Sequence, residues 1–130
     1  MAALSDYAEK LLLDFLMGGA AAGAPSSRHV ALYTAAPSDS GGGTEVSGNG
    51  YARQAATWDA ATSGAGVTAN ADAQSFTASG GNWGSITHVG IFDASSGGNL
   101  LWHGELTTAR TVNDGDTITF AIGSIDLTLA

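Results

Sequence analysis

Three histidines stand among aromatic and β-branched residues: His29, His88 and His103. With Glu105 or Asp93 they have the donor types of a zinc site, for which three protein ligands suffice in a catalytic centre. Their spacing repeats no metal signature, so packing and surface roles account for them better, and no metal is assigned. Asn113-Asp114-Gly115-Asp116 brings carboxylates together as a calcium loop does. It lacks the twelve-residue span and final bidentate glutamate of an EF-hand. An Asp-Gly pair between extended segments reads first as a hairpin turn. Hydrolytic chemistry has less support still. There is no Gly-x-Ser-x-Gly elbow and no Gly-Lys pair for a phosphate loop. Asp59, Asp93 and Glu105 are the acids near aromatics, and nothing pairs them as a glycosidase requires. Trp58, Trp83 and Trp102 have the ring area for a sugar platform, although tryptophans in small β-domains more often anchor a core or an interface. The residues thus point away from catalysis, with no catalytic residue and no cofactor assigned.

The elements that would position these groups come from patterning. The densest apolar stretch outside the N-terminus is Trp83 to Leu106. Ile86, Val89, Ile91 and Phe92 form one run, and Leu100, Leu101, Trp102 and Leu106 the other. A Ser-Ser-Gly-Gly-Asn connection between such runs marks a β-hairpin. Further short strands are expected at residues 30–34, 51–58, 67–69 and 74–77. Ile118, Phe120 and Ile122 alternate with polar or small residues, as do Ile125, Leu127 and Leu129. In 51–58, alternation puts Tyr51, Arg53, Ala55 and Thr57 on one face.

One helix is expected, over residues 5–17. Ser5 suits the N-cap, Asp6 and Glu9 suit the first turn, and Gly18 suits the C-cap. Tyr7, Ala8, Leu11, Leu12, Phe15 and Leu16 share its apolar face. A helix this short does not persist alone in water. It must close one end of its own domain or dock on a neighbouring subunit. Residues 37–50 form a glycine-rich loop whose aliphatic residue is Val46, expected to be exposed and mobile.

About eight short strands and one N-terminal helix define a mainly β chain: an antiparallel β-sandwich, jelly-roll-like, in a single domain of residues 1–130. Parallel βαβ units are excluded, because no helical pattern lies between strands. No internal repeat marks a solenoid.

Charge excludes some partners. The 130 residues carry 12 acids against 4 lysines and arginines, a formal charge of −8. Nucleic-acid binding requires a basic footprint, and Arg28, Arg53 and Arg110 are scattered singly. The same imbalance argues against anionic membranes. The N-terminus lacks the basic start of a signal peptide, and no run approaches the ~20 apolar residues of a membrane span. A soluble chain is expected.

Several stretches together carry a resemblance. They are Leu4-Ser5-Asp6-Tyr7-Ala8-Glu9, Tyr51-Ala52-Arg53-Gln54, the run from Trp83 to Ala94, the run from Gly97 to Gly104, Val112-Asn113 and Gly115-Asp116-Thr117. The chain resembles a family of small tailed-bacteriophage virion proteins, whose members are labelled tail fibre protein and whose relatives act as head decoration or cement proteins. The resemblance implies a non-enzymatic structural protein of the virion, assembled in the host cytoplasm. Small size and lack of repeats favour a capsid cement subunit bound across junctions of the major capsid protein, and associated with itself as a homotrimer or homodimer. The alternatives are a tail-fibre or tail-tip module, and a host-glycan-binding module. The expected interface residues are Tyr7, Leu11, Leu12 and Phe15 on the helix, Val46 in the glycine-rich loop, and Arg53.

Overall fold

The computed structural model describes residues 2–19, 23–61 and 66–129. In chain order the elements are β1 (Ala2–Leu4), α1 (Asp6–Met17), β2 (His29–Ala35), β3 (Thr44–Glu45), β4 (Gln54–Ala55), β5 (Val67–Ala69), β6 (Gln74–Thr77), β7 (Gly84–Phe92), β8 (Leu100–Val112), β9 (Thr117–Phe120) and β10 (Asp126–Thr128). The fold is mainly β with one N-terminal helix, as the patterning predicts.

One layer is a six-stranded antiparallel sheet in the order β1-β8-β7-β2-β3, with β4 sharing the outer edge of β2. The opposing layer is two separate ribbons, β6 with β9 and β5 with β10. Between the layers lies the core. Val30, Leu32, Ile86, Ile91 and Leu101 come from the large sheet, and Phe76, Ile118, Ile125 and Leu127 from the ribbon side. The rings of Phe76 and Phe120 meet edge-to-face at 6.1 Å. Buried Asn70 holds the ribbons in place: its Nδ2 donates to the carbonyls of Asp72 and Ala121, and its Oδ1 accepts from the Ile125 amide. A buried amide satisfied at both ends avoids the desolvation cost of an unmade hydrogen bond.

The ten strands among the described residues exceed the eight expected because β1 and β3 are too short to show a period. The predicted strand over 51–58 shrinks to Gln54–Ala55, with an isolated bridge from Trp58 to Asn70. Its alternation fails because Tyr51 packs inward on Trp83, ring centroids 5.5 Å apart, while Arg53 crosses to the other face of the sheet and lies over Phe92. The hairpin strand expected to end at Leu106 runs on to Val112. It does so through a large bulge: Ile86 faces Arg110 and His88 faces Glu105, so Thr87 alone opposes residues 106–109. A bulge of this kind lets a polar run continue a strand without an apolar period.

Helix α1 starts and stops where its capping residues predict. Ser5 Oγ accepts from the Ala8 amide at 3.2 Å and donates to the Leu100 carbonyl, so the cap also fastens the helix to β8. Gly18 takes the left-handed conformation, φ 69°. Among the described residues no helix is long and apolar enough to cross a membrane. The glycine-rich loop 37–50 is exposed along most of its length, but Pro37 and Val46 are buried. The Val46 amide donates to the Leu32 carbonyl at 2.9 Å, which draws its side chain into the core.

Candidate functional site

Two arrangements stand out, one on the outer face of the large sheet and one at its β1–β8 end. The first is a polar node on an aromatic floor. Tyr33 and Phe92 lie nearly parallel, centroids 6.5 Å apart. Gly90 makes room for them, since a Cβ there would lie 2.9 Å from the Tyr33 ring. Arg53 stacks over Phe92 with its guanidinium carbon 3.7 Å from the centroid. It grips Glu45 with two hydrogen bonds, Nε to Oε2 and Nη2 to Oε1, each 2.8 Å. Its Nη1 donates to the carbonyls of Ala94 and Gly97, at 3.0 and 2.8 Å. The β7–β8 connection is thereby tied to the segment that carries β3 and β4. Asp93 closes the same connection by accepting from the Asn99 amide and side chain. A Cβ on Gly98, which has a left-handed φ of 74°, would come within 2.5 Å of that carboxylate.

Tyr51 completes the node. Its hydroxyl donates to Glu45 Oε2 at 2.7 Å and accepts from the Leu32 amide at 3.1 Å. Strands β3 and β4 share one edge of β2 and leave a gap between them, and the Tyr51 hydroxyl supplies the missing acceptor there.

This environment shifts three acids. Burial pushes the Glu45 carboxyl up, but hydrogen bonds from Arg53 and Tyr51 and the guanidinium charge outweigh it, holding Glu45 below its ordinary value. Burial, then the nearby Glu45 charge, pushes Tyr33 up from 10.0 to about 12. Tyr51 is raised by burial and by its hydrogen bond to Glu45. A lowered carboxyl contributes stability that is complete above its unfolded value and is lost as pH falls through its folded one. A raised phenol contributes stability that is complete below pH 10.0 and is lost as pH rises towards about 12. Thermal unfolding followed across pH should therefore show a neutral plateau with an acid limb below the ordinary glutamate range and an alkaline limb beginning near pH 10. Tyr33→Phe should shrink the alkaline limb and leave the acid one unchanged. An alkaline limb of wild-type size in that variant would contradict the assignment.

The second arrangement is apolar. Only Ala8 of α1 is buried. Leu11 and Leu12 are half-buried and, with Leu4, Pro25, Trp102 and Leu129, line a groove of about 370 Å³. Around and beyond it the helix end is bare: Leu13, Phe15, Leu16 and Met17 are 61%, 66%, 64% and 80% exposed. Several large apolar side chains exposed together mark a contact surface, and among the described residues nothing of the chain's own domain covers these.

Of the residues expected at an interface, Tyr7, Leu11, Leu12 and Phe15 thus stay on one helix, with Tyr7 turned towards the 39–43 turn. Val46 and Arg53 do not belong to the exposed surface expected of them. Val46 is a core residue, and the Arg53 side chain is 8% exposed and internally bonded. Sequence reasoning missed the Glu45–Arg53 pair. Its signal was available, since these are the charged residues between Asp39 and Asp59.

The histidines do not converge. His88 Nδ1 pairs with Thr87 Oγ1, His103 Nε2 with Asp39 Oδ1, and His29 Nδ1 is buried without a partner. Among the described residues no three His, Asp or Glu side chains form a group that could hold a metal ion. The 113–116 stretch is a turn between β8 and β9. Asp116 accepts from the Asn113 amide and Asp114 from the Gly80 amide. Trp83 is buried and donates to the Asn49 carbonyl. Trp58 and Trp102 instead line one groove.

The class of fold is a small antiparallel β-sandwich with one N-terminal helix whose end is bare and apolar. The particular family follows from comparison. Residues 3–128 match the model described as Podophage GP4 fiber I protein gp80, and the chain belongs to that family. It is therefore a virion-associated structural protein of fibre type. No curated protein matches it.

Proposed function

We propose that the chain is a non-enzymatic assembly subunit of a podophage virion fibre, seated through the C-terminal half of α1. The exposed surface of Leu13, Phe15, Leu16 and Met17 carries this reading. Burying such side chains contributes about 1.5–3 kcal/mol each, which gives a small domain enough surface for tight association. The occupants proposed for it are further copies of the chain or the virion protein on which the fibre stands. Supporting the non-enzymatic reading, the carboxylate, guanidinium and phenol that gather on the sheet are bonded to one another and to backbone. The charge of −8 disfavours packaged DNA as a partner and keeps the free subunit dispersed before assembly.

A second reading places the same subunit on the head, cementing junctions of the major capsid protein. The compact, unrepeated sandwich favours it, because shafts of fibres are ordinarily elongated and repetitive. Densitometry of purified virions separates the two. A few copies per particle are expected for a fibre, and a number comparable with the major capsid protein would move the chain to the head. Absence from purified virions would overturn both.

A further inference from the structure

We infer that the groove between Trp58 and Trp102 is a binding site for a short oligosaccharide. The groove is about 730 Å³ and opens beside β7 and β8 on one side and β5 and β10 on the other. That volume falls in the usual range for small-molecule sites. Its lining combines two indoles with Arg28, Asp59, Thr57 and Thr68. Trp58 Nε1 is buried and has no hydrogen-bond partner. What Trp58 offers the groove is therefore ring carbon, an apolar surface and not a donor. Trp102 is likewise half-buried.

The polar rim is uncommitted. Lys10 is paired with Asp14 and Arg53 with Glu45, but Arg28 meets no carboxylate within ion-pair distance among the described residues. In a chain with three times as many acids as cations, an unpaired guanidinium is conspicuous. The Asp59 carboxylate and Thr57 hydroxyl are also without partners among the described residues. Thr68 Oγ1 donates to the Asp59 carbonyl at 2.5 Å and keeps its acceptor lone pairs.

The class of ligand follows from this mixture. A lipid would leave the guanidinium and carboxylate at the rim unpaired in an apolar contact, which is costly. A nucleotide would bring phosphates to a single cation beside a carboxylate. A pyranose has the matching anatomy, with an apolar C–H face to lie on an indole and a rim of hydroxyls that both donate and accept. Aromatic side chains suit such a ligand because they bury much area at low entropic cost. The site stands whether the subunit is carried on a fibre or on the head.

Isothermal titration of the full chain with cellotriose, maltotriose, chitotriose and trigalacturonate tests it. Saturable binding of at least one of these is expected. Trp58→Ala should weaken it about tenfold, and Arg28→Gln and Asp59→Asn should each weaken it without lowering the melting temperature. Should Trp58→Ala fail to fold, the two rim variants decide. No saturable binding by any of the four sugars overturns the inference, as does binding that all the folded variants retain at wild-type strength.

Discussion

Arg53→Ala is expected to destabilise the domain by about 3 kcal/mol, the lower end of what removing one partner of a buried ion pair costs. The lower end applies because Glu45 is a quarter exposed, so water relieves part of its orphaned charge. Several losses coincide. Glu45 loses both fork bonds, the Ala94 and Gly97 carbonyls lose their shared donor, and the Phe92 ring loses its cover. The β7–β8 connection is then no longer tied to β3 and β4. Arg53→Lys should recover little, since an ammonium cannot present a planar fork to the carboxylate while reaching two carbonyls. Urea denaturation followed by tryptophan fluorescence measures the loss. A double-mutant cycle with Glu45→Gln should give a coupling energy above about 1 kcal/mol. A loss below about 1 kcal/mol for Arg53→Ala would show that the node is a surface decoration and not a strut.

That node was only half legible in the sequence, and the reason is physical. A single arginine in a short polar strand reads as a surface residue, because arginine is seldom buried unless paired. The pairing depends on the chain crossing from one face of the sheet to the other between Tyr51 and Arg53, and no period signals that. Val46 was misread for a related cause. Glycines on either side suggested an exposed loop, yet a lone aliphatic residue in such a loop is its natural anchor to the core. Helix α1, by contrast, was legible to the residue. Its signals are local: Ser5, Asp6 and Glu9 act within one turn, and Gly18 ends the helix by its own backbone freedom. The β7–β8 hairpin was legible up to Leu106, where β-branched and aromatic residues stop. Beyond it, Thr107 to Thr111 carry no alternation, so only the pairing of Gly84, Ser85 and Ile86 with Val112, Thr111 and Arg110 defines the strand. The groove between Trp58 and Trp102 belongs to the same class of feature. Its two indoles lie 44 positions apart in the chain, and only the packing of ribbon on sheet brings them together.

The helix separates folding from assembly in a way that one variant can expose. Leu13, Leu16 and Met17 are 61%, 64% and 80% exposed and lie outside the groove, so their own domain gains little from them. Replacing all three by serine should change the stability of the isolated chain by no more than about 0.5 kcal/mol per site. The same replacement removes the large apolar anchors of the proposed contact, where truncating a central residue costs about 2 kcal/mol or more. Incorporation into virions should therefore fall below detection while the melting curve stays close to wild type. Leu11→Ser with Leu12→Ser is the contrasting pair. Those side chains already line the groove against Trp102 and Leu129, so their loss should lower the melting temperature first. If the triple variant assembles at wild-type occupancy, the helix end is not the seat of the subunit. If it unfolds instead, its apolar face is held by the domain more firmly than its exposure indicates. The proposed division holds only for the third outcome, a folded chain that no longer joins the particle, because only an interface makes exposed side chains indispensable to assembly yet dispensable to the fold.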